Sequence, residues 1–285
     1  MKTPDLTIII LSYNVEKLLL DCLSSVYKSM EKSDQWEVVV IDNASTDSSV
    51  ASVKKHFPNV KIIQNNKNLG FSAGNNIALK QVKSPYTLLL NPDTIVYPHT
   101  IQTVMDYIKS HSDVGAATCR VELTDGSLDY SCHREFPNPL NSFLHIYTGF
   151  FRRFSRYSHS PIPDTIHEID ALTGAFALIR TTAGRQISWL DEDYFWNGED
   201  LDFCFRLKQV GWKIFYIPEV KILHYKGASA RVTKSGRVKW AKNSTNAMKT
   251  FYKKHYSSRY PFFFNWIVYT GIYLLNAARR LKAAI

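Results

Sequence analysis

A chain of 285 residues with 45% apolar content has room for one large domain, or one domain with an appendage, and its core capacity argues against a disordered protein. The formal charge of +10 is unevenly spread: from Lys226 onward there are 13 of the 35 Lys and Arg and none of the Asp or Glu, so the first 225 residues hold 22 basic against 25 acidic side chains. A near-neutral body with a purely basic tail is not a uniformly basic nucleic-acid binder, and the tail calls for a local anionic partner: a phosphate-bearing ligand, a membrane surface or nucleic acid.

The start of the chain shows no secretory signal, because Met1 to Asp5 is polar and Leu6–Leu11 has only the length of a strand. Glu37–Ile41, Val60–Ile63, Tyr86–Leu90 and Gly115–Thr118 are further short apolar runs suited to buried parallel strands. Between the first two runs, Val15, Leu18, Leu19, Cys22, Leu23, Val26, Tyr27 and Met30 line one helix face, with Asn14 placed to cap it. A second helix is expected from Ser45 or Thr46 to Phe57, stopped by Pro58. This alternation predicts a parallel sheet with ligands at the strand C-terminal ends. Residues 121–168, rich in Pro, Ser, His and Tyr, read as a hairpin and a long surface excursion. Order returns with Thr173–Arg180, a helix from Glu199 to Val210, strands at Lys213–Ile217 and Val220–Leu223, a helix over Val238–His255 and a last apolar segment opened by Pro261. Cys22, Cys119, Cys132 and Cys204 form no C-x-x-C pair, so they read as reduced thiols in a cytosolic setting.

Four polar clusters follow expected strands. Ser12-Tyr13-Asn14 follows the first and Asp42-Asn43-Ala44-Ser45-Thr46-Asp47 the second; a carboxylate there can accept from a nucleobase or ribose, although the same residues also suit turns and helix caps. Asn68 to Asn76 carries Gly70 and Gly74, which permit close backbone approach to a ligand, but it is not a dinucleotide fingerprint, and no Walker-type phosphate loop is present. Asn91-Pro92-Asp93 ends an apolar strand and can offer a carboxylate to a divalent cation on a diphosphate; it is also an ordinary turn sequence. Further on, Glu199, Asp200 and Asp202 crowd a helix start. Helix-dipole and Arg206 pairing accounts for Asp202, whereas Glu199 and Asp200 suit a general base. His224 ends another strand.

Taken in order, T-I-I-I-L-S-Y-N, V-V-I-D-N-A-S-T-D, N-L-G-F-S-A-G-N-N, L-L-L-N-P-D, G-E-D-L-D-F-C-F-R and H-Y-K-G-A-S resemble the family-2 inverting glycosyltransferases of the GT-A fold, and within them the rhamnosyltransferase-type enzymes of cell-surface polysaccharides. The resemblance runs from about Leu6 to Ser229. It implies an α/β fold with a mostly parallel central sheet flanked by helices, over residues 1–237, followed by a C-terminal helical appendage over 238–285. It implies that Ser12, Tyr13, Asn14 and Asp42 line the nucleoside pocket, and that Gly70, Phe71, Ala73, Gly74, Asn75 and Asn91 lie along a nucleotide-diphosphate sugar. It further implies that Asp93 binds Mg²⁺ or Mn²⁺ with His224 as a further ligand, that Asp200 is the general base with Glu199 second, and that Thr173, Gly174, Ala175 and Trp196 border the sugar and a glycan or lipid-linked acceptor. Asn91 stands where the family usually has an acidic residue, which weakens the metal site on paper and keeps open a catalytically impaired nucleotide-sugar binder. A nucleic-acid or anionic-membrane module is the other alternative, suggested by the tail alone; a polymer binder needs no such set of carboxylates.

Within the tail, Lys226 to Lys242 reads either as a lid over the diphosphate or as a solvated basic loop. Phe262 to Ala278 lacks formal charge, is bounded by Arg259 and by Arg279-Arg280-Lys282, and as a helix is about 26 Å long, marginal for a ~30 Å hydrocarbon core. With Trp266, Tyr269 and Tyr273 in it, the expectation is a helix lying on the cytosolic face of the cell membrane, the alternative being a buried helix or an oligomer contact.

Overall fold

The computed structural model describes residues 3–31, 35–139, 162–226 and 234–284. Among the described residues nine strands form one sheet in the order β3-β2-β1-β4-β8-β6-β9-β5, with β7 pairing β9. β1 (Leu6–Ser12), β2 (Trp36–Asp42), β3 (Lys61–Gln64) and β4 (Tyr86–Leu90) are mutually parallel. Ile8, Ile9 and Ile10 of β1 are all fully buried, so both faces of this strand are covered, which is why it reads as an unbroken apolar run. α1 (Glu16–Ser29), α2 (Ser49–His56), α3 (Phe71–Leu79) and α4 (Thr100–Ser110) connect or flank these strands, and α1 buries Leu19, Cys22, Leu23 and Val26 at helical spacing.

The parallel expectation holds for that half and changes beyond β4. β8 (Phe176–Arg180) runs antiparallel between β4 and β6 (Val114–Leu123), while β9 (Lys213–His224) is parallel to β6. The two strands expected at 213–217 and 220–223 are one strand: the register against β6 jumps from Cys119↔Ile217 to Arg120↔Lys221, so Pro218, which lacks an amide donor, sits in an irregularity rather than a break. β5 (Thr94–Val96) pairs antiparallel with its far end, Thr94 facing His224, and β7 (His167–Glu168) with its near end.

Two helix starts also differ from expectation. Asn14 has a left-handed φ of 52° and caps nothing; Val15 is the N-cap of α1. The Asn14 carboxamide accepts from the Thr46 amide at 2.7 Å, and Asp47 accepts from the Glu16 amide at 3.1 Å, so the polar run 42–47 joins two loops before α2 starts at Ser49. All four cysteines are free and buried, and burial pushes the thiols of Cys22, Cys132 and Cys204 up to about 12.

α5 (Thr181–Gln186) and α6 (Glu199–Gln209) complete the body. The last two helices, α7 (Lys234–His255) and α8 (Phe262–Ala284), pack on each other. α7 docks on α6, with His255 Nε2 2.8 Å from Asp202 Oδ1 and the Phe251 ring edge-on to Phe205 at 5.6 Å. α8 is longer than its charge-free segment, and no helix among the described residues is long and apolar enough to cross a membrane. Of the segment expected as a lid, residues 227–233 lie outside the described residues.

Candidate active site

The C-terminal ends of β1, β2 and β3 deliver a fastened set of loops. Ser12 faces Asp42 in the register and both are buried; Asp42 accepts from the Ser45 amide at 3.2 Å, while Tyr13 is 44% exposed beside them. Asn43, which the motif reading did not single out, holds the next loop together. Its Nδ2 donates to Gly70 O at 3.1 Å and Asn68 Oδ1 at 3.0 Å, and its Oδ1 accepts from the Leu69 amide at 3.0 Å. Gly70 adopts φ +81°, and a Cβ there would meet the Phe195 carbonyl oxygen at 2.5 Å, so this glycine is required both by conformation and by contact. That same carbonyl accepts from the Phe71 amide at 2.8 Å, joining the glycine loop to the segment that carries Trp196 and Glu199. Ala73 is half-buried on α3, Gly74 lies against Leu11, and the buried Asn75 turns its amide onto Phe71 O of its own helix at 3.0 Å.

The second group lies where β5 meets β9. The Thr94↔His224 pairing sets Asp93 beside His224, and Asp93 Oδ1 is 3.3 Å from His224 Nε2. The other ring nitrogen, Nδ1, is 3.4 Å from Asp129 Oδ2, and Lys226 Nζ is 2.6 Å from Asp129 Oδ1. Burial disfavours the His224 imidazolium, but Asp129 and Asp93 outweigh it and lift the ring to about 9. Asp129 is the counterpart: burial works against its ionised form, yet His224 and Lys226 hold it well below the usual carboxylate range. Asn91 is bonded to the 173–175 segment through its backbone, its amide donating to Ala175 O at 3.2 Å.

The third group opens α6. Gly198, at φ +89°, turns the chain into the helix, where Asp200 Oδ2 meets Arg134 Nη2 at 2.6 Å. Arg134 Nη2 also donates to Leu172 O, tying the carboxylate to the segment that holds Thr173, Gly174 and Ala175. Glu199 is 6% exposed and its Oε2 has no hydrogen-bond partner. Burial first, and the charge of Asp200 second, push its carboxyl up to about 8. Crowding therefore acts on Glu199, whereas Asp200 is placed by an arginine. Neither Arg134 nor Asp129 stood out in the sequence, because both lie in the Pro-, Ser- and His-rich stretch that lacks strand or helix periodicity; the one local signal was a charged residue at each end of Asp129–Arg134.

As for a metal, the described residues contain no group of three or more His, Cys, Asp or Glu able to hold an ion. Asp93 and His224 supply two donors, and Mg²⁺ or Mn²⁺ characteristically completes a small protein donor set with phosphate oxygens and water. The pair fits a cation shared with a diphosphate and does not form an all-protein cage.

The family model for glycosyl transferase family 2 matches residues 7–171, more than half of the chain. The chain belongs to that family. Among curated relatives of this family-2 glycosyltransferase, the N-acetylglucosaminyl-diphospho-decaprenol L-rhamnosyltransferase of Mycobacterium tuberculosis is 27% identical over 207 residues, 67% of each chain. The rhamnosyltransferase WbbL of Escherichia coli K12 is 26% identical over 246 residues, 84% of this chain and 90% of that one. Among solved structures, the mannosyltransferase PcManGT of Pyrobaculum calidifontis, in complex with GDP-Man and Mn²⁺, superposes with a TM-score of 0.62 at 18% identity, covering 99% of this chain and 74% of that one. The family-2 chain thus has the GT-A-type fold and is similar to rhamnosyltransferases.

Proposed function

We propose that the protein is an inverting hexosyltransferase that moves a sugar from a nucleotide-diphosphate donor, dTDP-rhamnose or a UDP-sugar, to a hydroxyl of a cell-surface glycan or lipid-linked acceptor. The observation that carries this reading is the Arg134-held Asp200 at the head of α6, on the segment that closes against the Gly70 loop. This carboxylate is fixed in direction by the Arg134 guanidinium on Oδ2 at 2.6 Å and by the Leu201 amide on Oδ1 at 2.8 Å, and each oxygen keeps a second lone pair to accept from a substrate hydroxyl. In the proposed reaction Asp200 takes the proton of the acceptor hydroxyl as its oxygen bonds to the anomeric carbon; the bond to the diphosphate breaks on the opposite face, so configuration inverts and no covalent enzyme intermediate forms.

Ser12, Tyr13, Asn14 and Asp42 take the nucleoside, and Gly70, Phe71, Ala73, Gly74, Asn75 and Asn91 flank the diphosphate sugar. Thr173, Gly174, Ala175 and Trp196 border the sugar and acceptor. Asp93 and His224 hold a divalent cation, Mg²⁺ or Mn²⁺, whose chemistry is to neutralise charge on the leaving diphosphate. Glu199, whose carboxyl is pushed up by burial and whose Oε2 lacks a partner, offers a hydrogen bond to a sugar hydroxyl, and the base role falls to Asp200. Support for the substrate classes comes from the activities of the two rhamnosyltransferase relatives.

The proposal assigns residues 1–237 to catalysis and 238–285 to placement at the inner face of the cell membrane. Phe262, Phe263, Trp266, Ile267, Tyr273, Leu274 and Leu281 are all exposed and, at 100° per residue, fall within one arc of α8. The region carries no acidic residue, which suits anionic headgroups. A thermal-shift panel of dTDP-, UDP- and GDP-sugars with and without Mn²⁺ tests the donor assignment, since a selective ligand stabilises the fold. Stabilisation by one nucleotide class, followed by formation of an inverted glycoside, is expected. No stabilisation and no transfer with any donor would overturn it.

A further inference from the structure

The buried residue Asp129 has no place in the reaction as proposed, yet it faces the one ring nitrogen of His224 that Asp93 leaves free. We propose that Asp129 is a positioning residue for the metal site: it accepts the Nδ1–H of His224 and thereby makes Nε2 the ring nitrogen turned to a divalent cation at Asp93. The inference rests on the proposed role of His224 as a metal ligand.

Three observations carry it. First, the two distances are complementary, with Nε2 3.3 Å from Asp93 Oδ1 and Nδ1 3.4 Å from Asp129 Oδ2, so the ring bridges two carboxylates. Second, the ring is fixed: His224 is paired with Thr94 on one side and Leu123 on the other, and its side chain is 8% exposed. Third, Asp129 divides its oxygens. Oδ1 takes Lys226 Nζ at 2.6 Å and the Ser131 amide at 2.9 Å, which leaves Oδ2 to the imidazole. An ionised carboxylate only accepts hydrogen bonds, so opposite Asp129 the ring must be the donor. Nε2 faces the Asp93 carboxylate in the same way, so a cation bound there would take the place of a proton on Nε2 while Asp129 keeps the one on Nδ1, and the carboxylate behind the ring raises its basicity as a ligand.

The competing role for Asp129 is local, since the Ser131 contact caps the short 3₁₀ turn Tyr130–Cys132. Asp129→Asn separates the two, because an asparagine keeps the volume and the cap but loses the negative charge facing the ring. Mn²⁺ binding to the full chain, followed by electron paramagnetic resonance with UDP, GDP and dTDP added in turn, should weaken about 10- to 100-fold in Asp129→Asn, measured at a temperature where circular dichroism shows the variant folded. His224→Ala is the control. If its Mn²⁺ affinity equals wild type, the metal role of His224 fails, and this inference with it. If His224→Ala weakens binding and Asp129→Asn does not, Asp129 alone is excluded. A measurement on the wild type needs no variant to fold: with Mg²⁺ and nucleotide bound, ¹⁵N shifts should place the proton of His224 on Nδ1, and a proton on Nε2 would overturn the proposal.

Discussion

The sheet-bearing body and the C-terminal hairpin treat apolar side chains in opposite ways. In the body Trp189 is 3% exposed, and Ile8, Ile9 and Ile10 are fully buried; on α8 Trp266 is 64% exposed and Phe262 85%. Charge divides the same way, with 25 acidic residues before Lys226 and none after it. Folding explains the apolar residues of the body, where burial contributes roughly 25 cal/mol per Å² of surface removed from water. It leaves a broad apolar face on α8 uncovered, larger than scattered surface residues account for. The misfit in the body is of the other kind: Glu199, an acid shut away from water with one oxygen unpaired. Each region departs from the rule it otherwise obeys at the place where the proposed function needs it.

The largest expected effect tests whether chemistry resides in the body alone. Asp200→Asn keeps shape and removes the base, so turnover should fall by about 10²–10⁴, the usual worth of a positioned general base. Binding to lipid vesicles should not change. Turnover above one tenth of wild type would exclude Asp200 as the base, and altered vesicle binding would mean that the two regions are not separate in function.

Next comes the buried acid. Its pKa, raised by burial to about 8, means that the folded state keeps a proton that the unfolded state releases above its ordinary value of 4.5. Stability associated with this group is therefore full below about 4.5 and is lost as pH rises toward 8. Glu199→Gln does not titrate, so it should gain on wild type across that window, by a few kcal/mol at the alkaline end, where the wild type must ionise a buried carboxyl. Denaturant melts at several pH values check this; a difference that is flat with pH would mean that Glu199 is ionised at neutrality.

The same comparison accounts for what the sequence made legible. Strands buried on both faces announce themselves as apolar runs, so β1, β2 and β4 appear within a residue or so of their observed ends, and α6 within one. The antiparallel insertion of β8 left no local trace, because pairing direction depends on partners distant in the chain. Asp200 and Asp93 were visible through the motifs around them, although the residues holding the site were not. Arg134 reaches Asp200 across 66 residues, and Asp129 reaches His224 across 95, from a segment without periodicity. Asn14 shows the reverse error: its position before a helix fits a cap, but a contact 32 residues away claims its side chain.

The smallest effect distinguishes two tryptophans. Trp189 packs against Gly184, where an added Cβ would come within 2.1 Å of the indole, whereas Trp266 projects from α8. Trp189→Ser should cost about 3–5 kcal/mol of stability, as for other buried aromatic truncations. Trp266→Ser removes a side chain already in water and should stay within about 0.5 kcal/mol of wild type. On phosphatidylglycerol-containing vesicles the order should reverse: Trp266→Ser should bind about tenfold more weakly, equivalent to about 1.4 kcal/mol, because an indole at the headgroup level and the basic charge around it act together. High salt should weaken the wild type as well, and neutral phosphatidylcholine vesicles should bind it less. If Trp266→Ser destabilised the fold as much as Trp189→Ser, the exposed face would be covered by protein in solution, and a second copy of the chain would replace the membrane as its partner.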